Sequence, residues 1–468
     1  MALGNIRLHP WVIWLLVGTL LTAALLAIPA YPGRTGIYLV FSLLVNGLLF
    51  SGFRQGALFF DAFIGVLIWL GFWAKLTARL ILFDGQLYDQ TGNFDGSGAG
   101  FDKALLAASC AALGLLAASF LRERLIFRYI SQSATGEGGL YAFYLRYRII
   151  VLIGFVLFAL AIAVANWGLG IYQRGEISRT VLPFGLKGVF TWLLLFGLAS
   201  VSALILNFEL VLKRANSTLV VVIALLETLV SNVSMLSRGM VINGSALLYG
   251  VFRAVRINRL GLRLRRFSVW IGLFVVLFVL SAFVVNQLRG SFFSEAPSYR
   301  EIGRVVHSTK LLFLDRWVGI ESLLAVSSSP EQGWDLWSEA WDEIQVSDKL
   351  SFFDSRLIDS PYRETDLTKH YFISLPGIVA FSFYPGSFVF VFLFLFGAGL
   401  IGATAEILAY HAGHRNLILA ALIAQVVAFR YSHFGYVPAQ SYLLFGAILL
   451  NLILIFGVDK LLSGFGRR

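Results

Sequence analysis

Side chains able to do chemistry are few in this chain, and many of them fall in one long, mixed segment. "FLDRWVGIESLLAVSSSP" (313–330) places Asp315, Arg316 and Glu321 among Leu, Trp and Ile. A guanidinium in such a setting suits an anionic ligand, and a carboxylate there can serve as a proton acceptor or as a salt-bridge partner. Read as a helix, Arg316 shares a face with Gly319, Ile320 and Leu323, and Gly319 leaves room for another group. Glu321 lies five residues on and points elsewhere, so the two charges need separate partners. Upstream, "YREIGRVVHSTK" (299–310) puts Arg300, Arg304 and His307 at i, i+4 and i+7, on one helical face. Two guanidiniums and an imidazole in a row suit a phosphate or diphosphate, or else a solvated face near lipid headgroups. Downstream, His370 opens "HYFISLPGIVAFSFYPGS" (370–387). A histidine there titrates near neutral pH and can act as a general base.

These residues need elements to hold them. Of the 468 residues, 58% are hydrophobic and only 13% are charged. A soluble domain carries about twice that share of charge. The fold class is therefore an all-α polytopic membrane protein. About twelve apolar segments can be marked, near 11–30, 36–52, 57–82, 103–121, 149–167, 184–207, 217–236, 239–254, 267–287, 386–409, 416–430 and 438–457. The first is read as a retained span rather than a signal peptide. Lys and Arg crowd "RERLIFRYISQS", "LKRAN", "RAVRINRLGLRLRR" and the C-terminal "DKLLSGFGRR", all in alternate connections. The loop 83–102 is acidic, Gly-rich and free of Arg. This bias places both termini in the cytoplasm.

Three units follow: residues 1–287 with nine spans and short loops, a large extracytoplasmic helical loop at 288–372, and a mouth segment with three further spans at 373–468. A connection of that length is long enough to be functional. Within it, "GWDLWSEAWDEIQ" (333–345) has Trp334, Trp337 and Trp341 on one stripe. That pattern fits a helix lying at headgroup level, with sugar stacking as the alternative. The Pro376-Gly377 and Pro385-Gly386 breaks prevent a continuous span after His370 and predict a short mouth helix beside a cavity. Arg238 sits at the tight outward turn of a hairpin, and Arg174 and Arg179 in "YQRGEISR" lie on the same side. Positive charge outside runs against the bias of the other loops and suggests a specific anionic partner. Inside the spans, Asp61, Lys75, Arg79, Lys187, Glu227 and Asn232 must face protein. Lys75 is expected to pair with Asp61 or Glu227.

The net charge of +11 follows from the basic loops and does not call for nucleic acid. No GxxxxGK[ST] and no Cys/His cluster occurs, and the single Cys110 excludes an internal disulfide. Neither cofactor nor metal is expected. Arginines converging on an outward mouth beside a candidate base suit a lipid-linked diphosphate sugar, whose energy lies in its own glycosyl-phosphate bond.

With about twelve spans, one large outer loop, "DRWVGIESLLAV", "SRG" at a hairpin apex and "HYFISLPGIVAFSFYPGS", the chain resembles Wzy-type O-antigen polymerases and the related O-antigen ligases. These are membrane glycosyltransferases of the GT-C-like class. The order of Arg316 before His370 matches the ligases. Tyr371 stands where their motif has Asn, and Pro376-Gly377 are additional. The resemblance implies polymerisation of undecaprenyl-diphosphate-linked oligosaccharide units at the outer face of a bacterial inner membrane. It implies that Arg316 and Arg238 hold diphosphate and that His370 accepts the hydroxyl proton, with Glu321 in reserve. It also implies a donor and an acceptor that are both lipid-linked, and a chain-length regulator as partner. The alternatives are a ligase that uses lipid A-core as acceptor, and a transporter or flippase for an anionic lipid.

Overall fold

The structure, a computed structural model, describes residues 10–129, 138–212, 218–237, 239–258, 262–292, 315–344, 349–360, 362–363 and 372–465. Among them there is no β-strand. The helices are α1 (Pro10–Ala27), α2 (Thr35–Gly52), α3 (Phe59–Phe83), α4 (Gly98–Leu125), α5 (Gly139–Leu169) and α6 (Leu186–Val211). Then come α7 (Thr218–Ser234), α8 (Met240–Ile257) and α9 (Leu264–Phe292). The short helices α10 (Ile320–Ser327), α11 (Trp334–Trp341), α12 (Phe352–Arg356) and α13 (Gly377–Ser382) follow. The chain closes with α14 (Phe388–Ala412), α15 (Leu417–Ser432) and α16 (Ser441–Phe465). Eight of these are long and apolar enough to cross a membrane: α2 to α6, α9, α14 and α16. Residues 14–30, α7 and α15 are shorter apolar helices, and α8 carries Arg253 and Arg256. The protein is thus an all-helical polytopic membrane protein.

Small residues set the packing. Ala104, Ala107, Ala108, Ala111 and Ala112 of α4 are buried, and a Cβ on Gly114 would strike the carbonyl of Phe392 in α14. Close backbone approach of this kind is how helices associate without a hydrophobic drive between them. Helix α15 is apolar from Leu417 to Ala428 apart from buried Gln425, and is almost wholly buried there against α3, α8 and α14. A helix with no polar face belongs at the centre of a bundle. By contrast α9 and α16 are mostly exposed apolar surface, as lipid-facing helices are.

The two ends of the bundle differ. At the basic end, Arg122 pairs with Asp61 and also donates to the carbonyls of Gly56 and Phe127. Arg148 pairs with Glu209 at 2.6 Å, and His414 meets Asp459 at 2.8 Å. Glu406 of α14 is fully buried there. It accepts the backbone N–H groups of Phe59 (2.9 Å) and Phe60 (2.7 Å) and the hydroxyl of Tyr129. A carboxylate from near the end of the chain therefore caps the first turn of α3, where helix amides have no internal partner. The other, capped end is covered by the segment carrying α10 to α13.

Candidate functional site

At the capped end α3 is not a regular helix. Its turn Trp69–Ala74 is a π-helix, an insertion that is frequent at functional sites. The bulge brings the backbone of Gly71 against Val318 and Gly319, leaving no space for a Cβ on either glycine. The room that Gly319 was expected to leave is thus filled by the α3 backbone. Gly319 is also where the expected helix over 311–326 breaks: α10 begins only at Ile320, with Gly319 as N-cap. Arg316 is therefore not on a common helical face with Leu323. It lies exposed in the turn before α10, while its neighbours Asp315 and Glu321 turn inward.

Those two inward carboxylates lock the segment onto α3. Lys75 Nζ sits 2.9 Å from Glu321 Oε2 and 3.0 Å from Asp89 Oδ2, and it donates to the carbonyl of Trp317 at 3.2 Å. The Lys75 side chain is fully buried and Glu321 is 1% exposed. One turn on, Arg79 grips Asp315 through both Nε and Nη2. The expected pairing of Lys75 with Asp61 or Glu227 is corrected: Asp61 belongs to Arg122 at the other end, and Glu227 receives the hydroxyl of Ser231 at 2.9 Å. Burial pushes the Glu321 carboxyl above the usual range, with Lys75 pulling it back. Its carboxylate faces this lysine and not solvent. Lys103 adds a third tie, donating to the carbonyl of Ser327 at the end of α10 (2.8 Å) and to Gln332 (2.6 Å).

The cap also folds on itself. Buried Asp354 accepts the hydroxyls of Ser351 (2.6 Å) and Ser360 (2.7 Å) and the N–H of Ser374 (2.9 Å). Glu343 accepts the N–H groups of Phe352 (2.6 Å) and Val437 (2.9 Å), which joins the cap to the loop after α15. The expected mouth helix is α13, buried throughout. Gly377 at its start has φ +76° and donates to the carbonyl of Phe434 at 2.9 Å. A Cβ there would meet Val318 and Ser432, each at 3.0 Å, so a glycine is required on both counts. Of the expected interface stripe, Trp334 is exposed, Trp337 and Trp341 stack at 5.3 Å, and the group packs on Phe381 and Phe390.

Next to this junction the α5–α6 loop and the ends of α9 and α15 bring cations together. The guanidinium of Arg174 stands 6.0 Å above the ring of Phe429, and the Arg174 N–H is held by the carbonyl of Met235 in the α7–α8 turn. Arg430 reaches the carbonyl of Tyr436 and the hydroxyl of Ser441, each at 3.4 Å. His433 lies on Phe429 with ring centroids 4.0 Å apart. Arg289, at the end of α9, donates to the carbonyl of Leu236 at 3.4 Å. Burial, and then the charges of Arg174 and Arg430, push His433 down to about 4, although the Phe429 carbonyl opposes them. The imidazole is therefore neutral at neutral pH. Its tautomer follows from its neighbours. Ser432 spends its own proton on the Phe429 carbonyl, so Nδ1 of His433 must be the donor toward Ser432 (2.8 Å) and Phe429 (3.1 Å). The lone pair is then on Nε2. Tyr362 stacks on Phe372 at 5.5 Å, and burial beside Asp354 and Asp89 pushes its hydroxyl up to about 12.

Of the residues singled out from the sequence, Arg316, Glu321 and Arg174 thus reach the capped end within a connected set of loops. Arg179 is there too, but pairs with Glu176 at 3.0 Å. Arg238, Arg300, Arg304, His307 and His370 lie outside the described residues. Arg430 and His433 are not among the residues singled out. Their signal was present in "FRYSHFGYVP", two titratable groups closing an apolar helix. Chemically the arrangement offers guanidiniums for an anion and an imidazole whose Nε2 carries a lone pair for a proton. Compared with protein-family models, curated proteins and solved structures, the chain finds no match in any of the three.

Proposed function

We propose that the protein is a membrane glycosyltransferase that polymerises oligosaccharide units carried on a polyprenyl diphosphate. The observation that carries this reading is the meeting of Arg174, Arg430 and neutral His433 under the cap, at one end of an apolar bundle. A polyprenyl tail belongs in lipid, a diphosphate needs oriented cations, and the glycan needs the aqueous side. In this reading the twelve spans are α1 to α9 and α14 to α16. The capped end then faces outward from a bacterial inner membrane. The basic end, with exposed Arg263 and Arg265, faces the cytoplasm with both termini, and this orientation is the one that basic loops favour.

In the reaction, an acceptor hydroxyl oxygen attacks the anomeric carbon of the donor sugar. The bond from that carbon to the diphosphate oxygen breaks, and polyprenyl diphosphate leaves with the bonding pair. Arg174 and Arg430, with Arg316 and Arg238 from the sequence reading, neutralise the departing diphosphate. Nε2 of His433 takes the hydroxyl proton. His370 holds the same role in the resemblance and is the competing base. The locked pair Lys75–Glu321 fixes the cap above the site.

The test is purified protein in nanodiscs with a lipid-linked repeat unit and no nucleotide. Products lengthening by whole repeats support the reading. Transfer to lipid A-core without elongation would identify a ligase. Transbilayer movement of the intact lipid without any new glycosidic bond would refute the enzyme.

A further inference from the structure

The connection from α5 to α6 has two limbs with opposite character. The first carries Arg174 into the cation cluster. The second, residues 179–186, presents an apolar tip to the outside. Val181 is 87% exposed and Phe184 98%, and Pro183 and Leu186 are exposed beside them. The tip is not loose. The Arg179 N–H donates to the carbonyl of Gly170 (3.0 Å), and Thr180 Oγ1 donates to the carbonyl of Leu169 (2.7 Å), fixing it to the end of α5. The N–H of Leu186 returns to the carbonyl of Pro183 (3.2 Å), and that of Gly188 to Gly185 (2.8 Å), closing a tight turn. Phe184 sits at φ +54°, a conformation that bulky side chains rarely adopt. Such strain persists where the surroundings enforce it. The nearly full exposure of the ring leaves nothing among the described residues to offset it.

We infer that this tip is a wedge seated in the bilayer at the boundary between headgroups and acyl chains. Three observations favour lipid as the occupant. The tip continues the exposed apolar surface of α5 and α6, from Trp167 and Leu169 to Val189. Exposed Arg179 and Lys187 flank it at the level where lipid phosphates would lie. Its irregular backbone suits that boundary, where water and headgroups still satisfy polar groups, and does not suit the hydrocarbon centre. The wedge places the limb bearing Arg174 at the edge of the leaflet. An anionic lipid headgroup would pass that edge before reaching Arg430 and His433. The seating of the tip does not depend on the reaction proposed above.

The experiment replaces Cys110 with Ser and places one cysteine at a time at Val181 and Phe184, with Asn93 on the exposed α3–α4 loop as a control. Each is labelled with an environment-sensitive fluorophore in nanodiscs of phosphatidylethanolamine and phosphatidylglycerol. Expected is a blue-shifted emission at 181 and 184 that lipids with a shallow nitroxide largely quench and aqueous iodide leaves intact, with the opposite pattern at 93. Quenching of 184 by iodide and not by lipid would overturn the wedge. Protection of 184 from both quenchers would also overturn it, because a second copy or another protein would then cover the tip. A second measurement avoids the cysteine variants: Val181→Asp with Phe184→Asp should loosen exchange protection of 179–186 in nanodiscs and leave it unchanged in detergent. Equal protection in the two settings would count against lipid as the occupant.

Discussion

Replacing Lys75 by methionine should release the cap while leaving the bundle inserted. The lysine is fully buried, and its removal strands Glu321, a carboxylate that is 1% exposed and that pairs with Lys75 alone among the described residues. Deleting one partner of a buried pair costs about 3–5 kcal/mol, because the other charge remains without compensation. Asp89, whose side chain is 54% exposed, can turn to water and adds little. The opening equilibrium of residues 315–327 should therefore rise by roughly two to three and a half powers of ten. Hydrogen exchange read by mass spectrometry on protein in nanodiscs measures this directly, since the amides of α10 exchange through that opening. Glu321→Gln should cost less, on the order of 1–2 kcal/mol, because Lys75 keeps Asp89 and the Trp317 carbonyl. The double variant Lys75→Met, Glu321→Leu should recover most of the protection, since an apolar pair replaces two buried charges. Protection of 315–327 in Lys75→Met equal to wild type would refute the reasoning, and so would failure of the apolar pair to restore it.

Gly319→Ala should shift the cap as well, for a different reason: its φ of −176° suits any residue, but the new methyl would collide with the Gly71 carbonyl. Faster exchange in α10 with an unchanged basic end is the expected readout. His433 sets a pH dependence. The folded protein loses its imidazole proton near pH 4 and the unfolded chain near 6.5, so the unfolded chain binds more protons between these values. Stability is full above about pH 6.5 and falls as the pH drops toward 4. His433→Gln should flatten that part of the melting-temperature profile. Under the proposed function, Arg430→Ala and Arg316→Ala should each stop chain extension while insertion survives, and wild-type product length would remove the residue from the site. His370→Ala should lower turnover more than donor affinity if that histidine is the base; a change in affinity alone would assign the proton to His433.

The helical membrane class was legible because it rests on composition, and lipid tolerates few alternatives to helices. That Arg174 lies at the same end as Arg316 and Glu321 was legible because a cation on the less basic side stands out. What the sequence hid was distance along the chain. Lys75 has candidate carboxylates at many separations, and nothing local says that Glu321, 246 residues on, is nearer in space than Asp61. The π turn at Trp69–Ala74, against which Gly319 docks, was invisible too, since nothing in the propensities of "WLGFWA" marks it. Helical spacing misjudged Arg316 because the backbone leaves the helix at Gly319. Arg430 and His433 stand at the end of a span, where a basic residue reads as ordinary helix-end charge, and only the adjacency of Arg174 gives them another meaning.

The capping of α3 by Glu406 has a consequence for how the chain is made. The amides of Phe59 and Phe60 find their acceptor 347 and 346 residues later, in the third helix from the C-terminus. Lys75 and Arg79, at the opposite end of the same helix, wait for Glu321 and Asp315. Helix α3 is thus among the first segments to be synthesised and among the last to be completed, with both ends borrowing partners from the late part of the chain. A nascent chain stopped before α14 would carry a helix whose two termini are electrically unfinished. It should depend on an insertase, or on lipid headgroups and water drawn to those termini, until synthesis ends. A truncation series scored for protease protection of the α2–α3 loop, which leads into the capped turn, should therefore show no gradual gain, but a step once Glu406 has emerged.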